Sequence, residues 1–178
     1  MKLLCILTAL CLPAAAMDRA PAAIMKDMAG VYKQRFTSGL ITPGKAPMEA
    51  DQTYQAEDVI EIVPYDDTRM YFRARLQFYN GHVCSISGLA RHQNGAFVFH
   101  APDTAGMVDD CTLTIASSND ALTMTDRVSP DGPATCSAHC GARGSFSNVS
   151  MKNTTRRPIR YLDRILASPQ YKEAQKND

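Results

Sequence analysis

Two short segments concentrate side chains that can do chemistry. His82-Val83-Cys84 sets an imidazole two residues from a thiol, and Cys136-Ser137-Ala138-His139-Cys140 sets another imidazole among two thiols, with Arg143 and Ser145 close behind. Three kinds of site could be made from them. Two histidines and three cysteines could hold zinc, which takes imidazole nitrogen and thiolate sulfur in tetrahedral sets. Ser145 and His139 could act as nucleophile and base. The Arg143 guanidinium could grip a carboxylate of a ligand or partner.

Each option has a plainer competitor. The cysteines lack the paired C-x-x-C spacing of common zinc modules, and their spacing also misses the C-x-x-C-H of attached haem, so no metal and no cofactor is expected. Ser145 stands outside any nucleophile-elbow pattern, and an enzymatic role is the weaker reading. Arg143 could equally tie its loop to a carboxylate such as Asp109 or Asp110. Gly141 and Gly144 read as positions where the backbone turns or is closely approached. His92 and His100 fall on expected strands as ordinary surface or rim residues. His82, His139, Arg143 and Ser145 remain as candidate binding residues.

The compartment bears on the cysteines. Lys2, the apolar run Leu3 to Leu12 and Pro13-Ala14-Ala15-Ala16 have the form of a secretory leader cleaved after Ala16. The run is about ten residues, whereas a membrane-spanning helix needs roughly 20. A large Leu10 before Cys11 argues against lipidation there. Cys5 and Cys11 leave with the leader, and the remaining cysteines, Cys84, Cys111, Cys136 and Cys140, read in a bacterial periplasm as two disulfides. Removal of Lys2 from 19 basic and 18 acidic residues brings the formal charge to zero. A neutral chain argues against nucleic acid as partner. Residues 151–178 carry seven basic against three acidic side chains, read as a solvated helix face.

These residues need a scaffold, and about 160 residues suffice for one domain with its own core. Met70 to Phe78 alternates, with Met70, Phe72, Ala74, Leu76 and Phe78 on one face and Tyr71, Arg73, Arg75 and Gln77 on the other. Asn80-Gly81 gives a type I′ hairpin signal, and Gln93-Asn94-Gly95 turns the chain again. Strands are predicted near 30–36, 55–63, 70–78, 82–91, 95–100, 111–117, 121–127 and 143–149. Only the C-terminus reads as helix, from Ile159, Leu162, Ile165 and Leu166 behind Pro158. The expectation is a mostly β protein: an eight-stranded antiparallel meander, closed as a small calycin-like barrel or split into a two-sheet sandwich. It spans residues 17–156 after a leader over 1–16, with a helical segment over 157–178 packed on it.

Alternating strand directions gather the connections at 37–54, 79–82, 101–110 and 128–142 at one end. Long loops on a rigid scaffold are where binding usually sits. Cys84 and Cys111 should point inward near that rim. With a strand between theirs they stand roughly 9–10 Å apart, beyond the ~7 Å reach of a disulfide. They must therefore pair with Cys136 and Cys140. Adjacency of strands 6 and 7 favours Cys111–Cys136 and leaves Cys84–Cys140, which would pin residues 128–142 across the mouth as a lid.

Several stretches together resemble an uncharacterised family of exported proteobacterial proteins: Gly30-Val31-Tyr32-Lys33, Asn80-Gly81-His82-Val83-Cys84, Cys111-Thr112-Leu113, Cys136 through Cys140-Gly141-Ala142-Arg143-Gly144-Ser145-Phe146, and Arg157-Pro158-Ile159-Arg160-Tyr161-Leu162. The cysteine to Gly-Ala-Arg-Gly block also looks similar to part of exported proteins described as lysozyme-inhibitor-like, although the Ser-Gly-x-x-Tyr loop of better-known inhibitors is missing. The resemblance implies a periplasmic protein. The leading expectation is a non-enzymatic binding module that uses its rim on a protein partner, such as a cell-wall hydrolase, or on an envelope component. The alternative is a calycin-type carrier of a small apolar ligand. The third is a Ser145/His139 hydrolase.

Overall fold

The computed structural model describes residues 19–46, 49, 52–103 and 110–177. The expected leader and Asp109 lie outside the described residues. Eight strands follow in order: β1 (Gly30–Leu40), β2 (Gln52–Pro64), β3 (Arg69–Gln77), β4 (Val83–Gln93), β5 (Ala96–His100), β6 (Thr112–Ser117), β7 (Ala121–Thr125) and β8 (Val149–Lys152). Each pairs antiparallel with the next, so that strand order in the single sheet equals chain order. The sheet curls until its ends approach, with Val31 of β1 bridging Arg157 just after β8. The result is a nearly closed barrel rather than a sandwich.

The alternation expected of β3 is present, with Met70, Phe72, Ala74 and Leu76 all buried on the inner face. They join Tyr32, Ile60, Ile62, Phe97, Leu113, Ile115, Leu122 and Met124 in one continuous core. Tyr71, expected on the outer face, is buried too, because the helices after the barrel lie over it. There α2 (Leu162–Leu166) and α3 (Pro169–Lys176) make a second, smaller cluster, in which Ile165 packs on Val63 and Tyr71. Ser168 caps α3 by accepting from Tyr171 N at 3.2 Å, ahead of Pro169 in the first turn.

Asn94-Gly95 forms its two-residue turn with both residues at positive φ, 50° and 83°, as a type I′ hairpin requires. Asn80 and Gly81 also take positive φ, but in a three-residue connection closed by Phe78 N donating to His82 O at 2.9 Å.

Two expectations are corrected. The last strand, expected at 143–149, forms at Val149–Lys152. Phe146 is drawn fully into the core from the preceding loop, so residues 143–148 turn rather than extend. The helix α1 (Pro21–Met28) was not expected at all. It lies before β1 and buries Met25 and Met28 in the core, and Tyr32 Oη donates to Met28 O at 2.9 Å. Thus α1 stops the end of the barrel that carries the short turns.

Candidate functional site

The strand directions bring the connections at 41–51, 78–82, 101–111 and 126–148 to one end, which is the expected rim. Both expected disulfides are present: Cys111–Cys136 and Cys84–Cys140, with Cα separations of 4.4 and 4.0 Å. They pin the last and longest of these connections onto the barrel. Its backbone is also tied to the top of β4, where Gly141 N donates to Val83 O at 2.9 Å. Glycine is required just beyond. A Cβ on Gly144 would lie 2.4 Å from Cys84 Sγ. The segment is therefore pressed down on the core, with Cys136 and Phe146 fully buried, rather than arched over an open mouth.

Polar side chains that sequence reasoning passed over complete the clamp. Asp126, at 1% exposure, accepts from Ser147 Oγ at 2.6 Å and from Cys136 N at 3.2 Å, so one carboxylate holds both limbs of the loop. Thr135 Oγ1 accepts from Thr112 N at 3.0 Å and lies within hydrogen-bond reach of the carbonyls of Asp126 and Thr112, at 3.0 and 3.1 Å. The available signal was an acid directly after a strand, facing a cysteine loop rich in backbone N–H groups.

The four candidate residues, His82 from one segment and His139, Arg143 and Ser145 from the other, share the rim but are not joined in one constellation. His82 is half-buried beneath Gly141, where an added Cβ would meet its Nδ1 at 2.9 Å. His139 is half-buried at the upper end of a groove beside β4. Arg143 is exposed, and no ion pair to Asp110 is formed, so the expected tether to that residue is not there. Ser145 Oγ accepts from Ser147 N at 3.0 Å, a local turn in which the hydroxyl serves the backbone. With Cys84, Cys111, Cys136 and Cys140 in disulfides, no thiolate among the described residues accompanies the two histidines.

That groove, about 460 Å³, runs down the outside of the barrel between β4, β5 and α3, and its walls include Ser85, Ser87, His100, His139, Glu173 and Asn177. A second hollow of about 430 Å³ lies by Val128, between β7 and β8. A further polar cluster sits across β2 and β3. Glu61, 3% exposed on the outer face, receives both Nε and Nη2 of Arg73 and, at 2.6 Å, the Tyr161 hydroxyl. Burial, reinforced by the hydrogen bond to Glu61 and its charge, pushes the Tyr161 phenol up to about 12. This trio fastens the C-terminal segment to the barrel.

Comparison of the chain with protein-family models, with curated proteins and with solved structures gives no significant match in any of the three.

Proposed function

We propose that this protein is a non-enzymatic binding module of the bacterial periplasm that engages a protein partner through its disulfide-pinned rim. The observation that carries the reading is the fixation of residues 126–148. Two disulfides, the Asp126 carboxylate and the Gly141–Val83 bond hold the longest connection of the chain, while Ser137, Ala138, Ala142 and Arg143 stay exposed upon it. A loop ordered before binding loses little conformational entropy on binding, which favours recognition by such a surface.

Other features support the same reading. The leader expected from the sequence and the two disulfides among the described residues suit an oxidising compartment. No helix among the described residues is long and apolar enough to cross a membrane. Inward side chains fill the barrel from Met28 at one end to Phe146 at the other, which favours surface recognition over carriage of an apolar ligand inside. The Ser145 hydroxyl is committed to its turn, which favours binding over hydrolysis. The partner class suggested by resemblance is a cell-wall hydrolase; another envelope component would use the same surface.

The test is affinity capture from the periplasm with the disulfide-bonded protein, followed by measurement of each captured partner in purified form. Binding should weaken at least tenfold for Arg143→Glu. Partners that bind this variant and the reduced protein as well as the wild type would remove the rim from the function.

A further inference from the structure

The most exposed large apolar side chain among the described residues is Val128, at 78%. A loose chain is not what leaves it in water, because it stands on a short, closed hairpin over residues 127–134. At the base Arg127 and Ala134 pair as an antiparallel bridge. At the tip Ser129-Pro130-Asp131-Gly132 has the residue order of a β-turn, with proline second and glycine fourth, and Gly132 N donates to Ser129 O at 2.9 Å. Arg127 Nη1 donates across the hairpin to Gly132 O. Gly132 lies so close on Ser129 that a Cβ there would stand 2.9 Å from Ser129 Oγ. Both feet are fixed as well. Asp126 accepts from Cys136 N at 3.2 Å, Thr135 Oγ1 accepts from Thr112 N at 3.0 Å, and the Cys111–Cys136 disulfide follows directly.

The hairpin belongs to the β7–β8 side of the barrel, where Arg127, Val128 and Pro130 share the hollow of about 430 Å³ with Thr123, Thr125 and Val149. The exposed block 137–143 lies instead against β4, through Cys84–Cys140 and the bond from Gly141 N to Val83 O. The longest connection of the chain therefore presents two separate surfaces. Only the hairpin carries exposed apolar side chains of any size, Val128 with Pro130 and Pro133, and it sets the exposed Asp131 among them.

We infer that hairpin 127–134 is the part of the rim that enters the partner: it inserts into a recess of a protein, Val128 against an apolar wall and Asp131 against a basic side chain at the recess mouth. The occupant follows from shape and chemistry together. A fixed protrusion is matched by a concavity, and a β-branched aliphatic side chain held in water gains by burial in an apolar one. A lipid surface does not suit it, because Asp131 would be carried into the same layer without a partner. A recess with Lys or Arg at its mouth takes both side chains. The turn is ordered before contact, so little conformational entropy is lost on insertion. This inference rests on the rim reading and adds to it which surface of the connection makes the contact.

The test uses the whole disulfide-bonded protein. Each protein that the wild type captures from the periplasm is purified and titrated with Val128→Asp, Val128→Ile, Asp131→Lys and Gly132→Val. Val128 packs on little, so thermal unfolding of Val128→Asp should match the wild type. Affinity for the partner should fall about tenfold or more for Val128→Asp and stay within about threefold for Val128→Ile. Asp131→Lys should weaken binding by a factor that shrinks as salt is raised. Gly132→Val keeps Val128 but forces the turn apart, and should also weaken binding. A photo-crosslinking side chain placed at position 128 should label residues that line a concavity of the partner. Capture that yields no partner sensitive to Val128→Asp overturns the inference, and so does labelling of a flat or convex surface. A wild type that is dimeric while Val128→Asp is monomeric would assign the hairpin to self-association and overturn it too. A partner that needs Arg143 and ignores Val128→Asp would leave the rim reading standing and remove this one. Loss of binding with Val128→Asp but not with Arg143→Glu would keep the hairpin and take the 137–143 block out of the contact.

Discussion

Asp126, Thr135 and Ser147 belong to no motif, yet a buried loop needs partners for every N–H it turns inward, and these side chains supply them. Asp126→Ala should cost about 2–4 kcal/mol in urea unfolding, because Cys136 N and the Ser147 hydroxyl lose their buried acceptor. Asp126→Asn, which keeps an oxygen toward one of them, should cost less. Gly144→Ala should cost about 1–3 kcal/mol by forcing the loop off the Cys84 sulfur, measured in the same titration. Tyr161 makes a pH-dependent contribution. Its folded value of about 12 stands above the ordinary 10, so its stabilisation is complete below pH 10 and is lost as pH rises from about 10 to 12. The stability of Tyr161→Phe should fall less steeply over that window, although burial also raises Tyr32 and Tyr71, which keeps the fall from vanishing. Single residues were the least legible scale. The cysteine pairs followed from strand parity, but Asp126 and Glu61 gain their roles from neighbours 10 to 100 residues away, which no local pattern reveals.

At the scale of elements the period-two pattern did most of the work. Strands with one face in the core, such as β3 and β4, repeat apolar residues at every second position, and a slip of one residue would turn that face to water. Where that contrast is absent the reading fails. In α1, eight residues with one Pro, two buried Met and Ile24 offer barely two turns of periodicity, and β8 is four residues with only a half-buried Val149 and a buried Met151 turned inward. The loop 126–148 depends on its two bridges in a separable way. They close 25- and 56-residue spans, worth about 3.5 and 4 kcal/mol by loop-closure entropy. The strands keep their own ladders without them. Reduction should therefore raise amide exchange in residues 134–147 while β2 and β3 stay protected; simultaneous loss of both would show that the loop and barrel form one cooperative unit.

Over the whole molecule two apolar clusters share one sheet, on opposite faces. The inner one fills the barrel. The outer one exists because Val63, Tyr71 and Leu89 occupy outward positions that α2 and α3 cover, and Ile165, at 1% exposure, is its only fully buried helical contribution. Tyr71 reads in sequence as one more solvent-facing aromatic, since nothing within its strand tells which outer positions a distant helix will cover. The two clusters make a prediction about how the protein comes apart. Ile165→Ala removes the residue that anchors the tail, and large-to-small changes of this kind cost about 2–5 kcal/mol. That loss falls on the outer cluster, which the Glu61–Arg73–Tyr161 trio and the Tyr71–Tyr171 ring contact still hold, so the tail should detach before the barrel opens. Limited proteolysis of Ile165→Ala should then cut within residues 159–177 at a rate far above wild type, leaving a disulfide-bonded barrel with protected β3 amides. A tail that is released only when the β3 amides exchange would instead make both clusters parts of one folding unit.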